Sequence, residues 1–110
     1  MPKKSMDILT ESMFYVLMAF STGPMAGIEV VQFIKDRTKG RLQMGPATLY
    51  TLLAKFEKEK LIREILVDGR KRTYRITDKG RTVYRDELDR LMQCVQDATA
   101  TEETNHERDN

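Results

Sequence analysis

Four glycine-containing breaks, Gly23-Pro24, Lys39-Gly40, Gly45-Pro46 and Asp68-Gly69, divide the chain into short pieces. No single long helix or extended sheet fits between such breaks, so each piece must be read by its own apolar spacing. Thr10 is placed to cap a helix over roughly 11–21, with Glu11 favourable in its first turn. Met13, Phe14, Val16, Leu17, Met18 and Phe20 leave that helix almost no polar face. It therefore requires cover on more than one side, which a second subunit would supply. A second helix is expected over 25–38, with Ile28, Val30, Val31 and Ile34 turned inward and Lys39-Gly40 ending it, glycine as the cap. Pro46 suits the first turn of a third helix. Leu49, Leu52, Leu53 and Phe56 form its apolar stripe at i, i+3, i+4, i+7.

The periodicity changes at Leu61-Ile62, where a strand begins. The Asp68-Gly69 turn folds a second strand back through about Ile76. Tyr74 and Ile76 share one face and pin the hairpin to the core, while Thr73 and Arg75 point the other way. Ile65, Leu66 and Val67 are apolar in succession, so the pairing register stays open. Thr77 or Asp78 caps a fourth helix to about residue 98, on which Tyr84, Leu88, Leu91, Met92 and Val95 form a narrow seam of coiled-coil type. The segment 99–110 has no apolar residue past Ala100 and is expected to be a disordered tail.

Three helices followed by a two-stranded hairpin is the order of a winged helix-turn-helix. The fold class expected is mainly α with a small β-hairpin. Its units are a winged domain over 1–78, a dimerisation helix over 79–98 and the tail. That order gives meaning to the charge. Residues 1–80 hold 15 Lys and Arg against 9 Asp and Glu, and residues 81–110 hold 4 against 8, so a net +2 conceals a basic front. In the third helix, Ala47, Thr48, Tyr50, Thr51, Ala54, Lys55 and Lys58 lie off the core stripe. Small and hydroxylated residues near a helix start can reach base edges and phosphates. An ordinary exposed helix face would look the same. The hairpin adds an independent element, since Arg70, Lys71 and Arg72 at its tip can reach phosphates or the minor groove. A solubilising hairpin with a charged edge accounts for the hairpin alone, but the two elements together favour double-stranded DNA.

Other chemistries lack their residues. His106 is the single histidine and lies in the tail, so no metal-ligand cluster exists in the spacing. No Ser or Cys has a paired base in a structured segment, and no glycine loop cradles a phosphate. No cofactor or catalytic site is expected. Cys94 is the one cysteine, which fits a reducing compartment, the cytoplasm. On an interfacial helix a lone cysteine is most often a small apolar residue. Asp7 and Glu11 spoil a signal peptide's basic lead, and no run reaches the length of a membrane span.

The runs G-P-A-T-L-Y-T-L-L-A-K-F-E-K-E-K-L-I and D-G-R-K-R-T-Y-R-I-T-D-K-G, with L-T-E-S-M-F-Y-V-L-M-A-F-S-T-G-P-M-A-G-I-E-V before them, resemble the PadR family of bacterial transcriptional regulators. The resemblance covers about residues 8–95. It implies a homodimeric winged-helix repressor of stress, detoxification or efflux genes, paired largely through its C-terminal helix and often released by a small molecule. Carried over, Thr48, Leu49 and Tyr50 occupy the family's T-L-Y, and Arg70, Lys71 and Arg72 its basic wing. Tyr74 and Thr77 fall on the strand and its exit. Lys60 stands where the family usually has glycine. The chain has no Trp, so the family's mode of holding flat drugs between tryptophans does not carry over.

The DNA-binding set expected is thus Thr48, Tyr50, Thr51, Lys55, Arg70, Lys71 and Arg72, acting on a pseudo-palindromic operator. The dimer interface expected is Phe14, Leu88, Leu91, Met92 and Val95. A small hydrophobic effector would sit between Phe14, Met18, Leu88 and Met92, where plain interface packing explains the same residues. The rival reading is a winged-helix adaptor for proteins, without specific DNA binding.

Overall fold

The computed structural model describes residues 9–109; the basic lead-in expected over 1–8 lies outside them. Helix α1 spans Glu11–Ser21, and Thr10 caps it by accepting the Met13 N–H at 3.1 Å. Its Phe14, Val16, Leu17, Ala19 and Phe20 are all buried. The cover that this apolar helix needs comes from its own chain, because α1 packs against the second helix, the hairpin and the last helix.

Met25–Ala26 form a short strand, β1, where the second helix was expected to begin. A two-residue strand has no periodicity to read. The second helix, α2, runs Gly27–Arg37, and the Ala26 N–H donates to Glu29 Oε1 at 2.7 Å. Val30 and Ile34 are buried, but Ile28 is 75% exposed. At about 100° per residue, position 28 lies nearly opposite position 30, so one face cannot hold both. The end of α2 also differs from expectation. Lys39, with φ 53°, holds the left-handed position, and Gly40 follows at φ 79°. The Gly40 N–H reaches the Lys35 carbonyl at 2.8 Å and the Lys39 N–H reaches the Asp36 carbonyl at 3.3 Å, a Schellman pattern.

Helix α3, Pro46–Lys58, buries Leu49, Leu53 and Phe56. It packs closely on α2 at Gly27, where an added Cβ would lie 3.2 Å from Leu49 Cδ2. It ends as α2 does, with Lys60 at φ 63°. The Leu61 N–H bonds to the Phe56 carbonyl at 2.8 Å and the Lys60 N–H to the Glu57 carbonyl at 3.0 Å.

Strands β2, Ile62–Asp68, and β3, Lys71–Ile76, complete an antiparallel sheet ordered β1-β3-β2. The register pairs Ile62 with Ile76, Glu64 with Tyr74 and Leu66 with Thr73, so Ile65 is bulged. The bulge resolves the three consecutive apolar residues by taking one out of the pairing. Tyr74 and Ile76 are buried, with Tyr74 edge-on to Phe20.

Helix α4 runs Asp78–Asp109, and Thr77 caps it by accepting the Gly80 N–H at 3.0 Å. Val83, Tyr84, Leu88 and Leu91 pack on the core, and Tyr84 stacks on Phe14 at 5.3 Å. Residues 99–109 are helical, not a disordered tail. Once a helix is nucleated and packed, each added residue costs little. The extension is also supported locally, by Gln93 Nε2 to Asp97 Oδ1 at 3.0 Å, Thr101 Oγ1 to the Asp97 carbonyl at 2.8 Å and Thr104 Oγ1 to the Ala100 carbonyl at 3.0 Å.

Candidate nucleic-acid interface

The start of α3 stands free of the core. Gly45 and Pro46 open the helix, and Ala47, Thr48, Tyr50 and Thr51 are all exposed. Tyr50 is 61% exposed, and one edge of its ring lies over Gly27 at the start of α2. With no side chain at Gly27, the ring can rest against the backbone of the neighbouring helix.

The hairpin tip leans over the same ground. Tyr50 and Ile28 line a cleft of about 590 Å³ together with Arg70, Lys71, Arg72 and Tyr74. Two elements read separately in the sequence therefore share one concave, positively charged surface. Three cations share the cleft with two tyrosines, Tyr50 exposed and Tyr74 buried, and one exposed aliphatic side chain. Ile28 is the member that sequence reading missed. Its signal was available, because a helix beginning at Gly27 puts 28 on the outer face.

The three wing cations are not equivalent. Arg72 Nη1 lies 2.9 Å from Glu64 Oε1, so its charge is partly spent within the hairpin. Arg70 and Lys71 make no ion pair among the described residues. Arg63 and Arg75 face each other across β2 and β3, adding charge to the other side of the wing. Burial pushes the Tyr74 phenol above its ordinary range, with the Glu57 and Glu64 carboxylates adding to the effect. It stays a neutral hydrogen-bonding group at any physiological pH. Of the other expected residues, Thr48 and Thr51 lie on the exposed start of α3, and Lys55 is half-buried in its last turn.

The matching model is that of the PadR-like family of transcriptional regulators, over residues 16–86. The chain belongs to this family. Among solved structures, this PadR-family chain is similar to a transcriptional regulator from Clostridium thermocellum, with TM-score 0.71 and 23% identity, covering 80% of this chain and 89% of that one. It is also similar to Bacillus subtilis PadR solved with operator DNA, with TM-score 0.64 and 20% identity, covering 72% of this chain and 47% of that one. At such identities the likeness is one of fold, a winged helix. A curated relative, an uncharacterized 37.1 kDa protein in a Streptomyces fradiae transposon, is 34% identical over 71 residues. That match takes in 64% of this chain but only 20% of the longer relative.

The residues expected at a dimer interface divide into two groups. Phe14 is buried and used within its own chain, against Tyr84. Leu88 and Leu91 are half-buried on the core. Met92 and Val95 are 52% and 64% exposed, on the part of α4 that has left the core. The residues expected around an effector are likewise dispersed. Phe14 borders a cavity of about 340 Å³ with Tyr15, Glu87, Arg90 and Leu91. Leu88 lines another, with Ser21, Tyr84 and Arg85. Met18 is half-buried against the core. Glu87 is a buried carboxylate, satisfied by Arg90 Nε at 3.0 Å and Nη2 at 2.5 Å. Cys94 is exposed. Among the described residues no helix is long and apolar enough to cross a membrane, and no acidic, His or Cys group could hold a metal ion.

Proposed function

We propose that this PadR-family chain is a dimeric repressor that binds a pseudo-palindromic DNA operator in the cytoplasm. The observation that carries the reading is the shared cleft, in which Tyr50 of α3 meets Arg70, Lys71 and Arg72 of the wing. The start of α3 enters the major groove, where Thr48, Tyr50 and Thr51 meet base edges and phosphates. The wing cations hold the backbone beside it. Ile28 is placed to touch a sugar or a thymine methyl, an apolar contact that the major groove offers. Met92 and Val95 continue the apolar seam of Leu88 and Leu91 and supply the pairing surface, so that two α3 helices meet grooves about 10 bp apart or a multiple of it. By the family resemblance, the regulated genes are those of stress, detoxification or efflux, with a small hydrophobic effector as the releasing signal.

The test is fluorescence anisotropy with a duplex selected from a random library by the chain itself, against a scrambled duplex at two salt concentrations. The expected result is a preference of about a thousandfold for the selected duplex. Equal, steeply salt-dependent binding to both would reduce the interface to backbone attraction. Failure of the library to enrich any duplex would favour the protein-adaptor reading.

A further inference from the structure

The reading helix and the pairing helix lie far apart in sequence, yet they meet at one joint. The last turn of α3 closes on Lys60 and Leu61, and Leu61 is fully buried. Both of their carbonyls are then taken by Thr77, just before α4. The Thr77 N–H donates to the Leu61 carbonyl at 2.9 Å, and the Thr77 hydroxyl donates to the Lys60 carbonyl at 2.7 Å. The same hydroxyl accepts the Gly80 N–H at 3.0 Å, in the first turn of α4. Gly80 itself is buried against this junction. A Cβ there would stand 2.2 Å from the Leu61 carbonyl oxygen and 2.8 Å from Ile76 Cγ1. The φ of Gly80 is not positive, so glycine is required by space alone. The wing is the loop that leaves and returns at this point.

We propose that Thr77 and Gly80 are positioning residues that fix the angle between α4 and α3, and so set the half-site spacing the dimer accepts. This inference rests on the DNA-binding reading above. The other links between α4 and the reading helix are indirect, through α1 and α2 and through the sheet, and rest on side-chain packing such as the Phe14–Tyr84 stack, which can repack. The joint instead ties backbone to backbone through the N–H and the short hydroxyl of Thr77, with no long flexible side chain to absorb a change, and of the two only the hydroxyl reaches into α4. Inserting one base pair between half-sites turns one against the other by about 35° and moves it by about 3.4 Å. A stiff joint rejects that displacement, and a loosened one tolerates it.

A purely structural role would lower affinity at every spacing alike. A positioning role changes the ratio between spacings. The experiment compares duplexes carrying the selected half-sites at the best spacing and with one base pair added or removed. Each is titrated with wild type, Thr77→Ser, Thr77→Val and Gly80→Ala, after circular dichroism confirms the fold. Wild type and Thr77→Ser should reject the altered spacings by about tenfold, comparable to one mismatched base pair. Thr77→Val should reject them by less than about threefold, and Gly80→Ala should move the best spacing. The Thr77 pair suffices if Gly80→Ala does not fold. An unchanged spacing profile in Thr77→Val, or a Thr77→Ser profile as loose as that of Thr77→Val, overturns the joint while leaving specific DNA binding intact. Failure of the library to enrich any duplex overturns the DNA reading, and this inference with it.

Discussion

Replacing Lys60 by glycine should stabilise the protein. Lys60 sits at φ 63°, where a side chain crowds the backbone, and it is exposed, so its removal sacrifices little packing. The left-handed conformation costs a non-glycine residue about 1–2 kcal/mol. Glycine returns about 0.5–1 kcal/mol of that through the greater freedom of its unfolded chain. At the middle of both ranges the net gain is about 0.75 kcal/mol. For a domain of this size that raises Tm by about 2–5 °C. The Lys60 carbonyl that receives Thr77 is unaffected by the change. Thermal unfolding should be followed without DNA at one fixed protein concentration, because pairing makes Tm concentration-dependent. Lys60→Ala is the control, since it removes the charge but keeps the strain and should gain nothing. Lys39, at φ 53° in an equivalent helix end, provides an independent repeat in Lys39→Gly. A Tm for both glycine variants at or below that of wild type would refute the strain argument.

Other outcomes follow from the interface. Arg70→Ala with Lys71→Ala should weaken DNA binding at every sequence and lower the salt slope by about 2; anisotropy over a salt series reads both. Arg72→Ala should change that slope less, because Glu64 already holds part of its charge. Met92→Asp with Val95→Asp should shift the sedimentation coefficient to that of a monomer at micromolar concentration while the helical circular dichroism is retained, since both side chains lie outside the core. Tyr74 contributes a loss of stability at high pH. Its folded phenol titrates above the unfolded value of about 10, so the unfolded chain loses its proton first and stability falls as pH rises through that window. Urea midpoints across alkaline pH should fall less steeply in Tyr74→Phe than in wild type.

The order of three helices and a hairpin was legible because each piece carries its own local signal. Thr10 caps, Pro46 opens a helix, Gly69 turns at φ 62°, and Leu49, Leu53 and Phe56 repeat with the helical period. These are interactions between near neighbours, and near neighbours are what a sequence displays. The wing cations and the start of α3 were legible for the same reason, as residue types at telling positions. What the sequence could not show depends on residues brought together from far along the chain. Strand β1 exists only because β3 offers it a partner. The bulge at Ile65 shows only in the pairing of β2 with β3, where the register shifts between Glu64 and Leu66. The cover of α1 comes from α2, β3 and α4 of its own chain. The cleft uniting Ile28 and Tyr50 with the wing, and the joint between Lys60, Thr77 and Gly80, need distant backbones held within a hydrogen bond's length. Local chemistry wrote the elements, and only the packed core could decide how they meet.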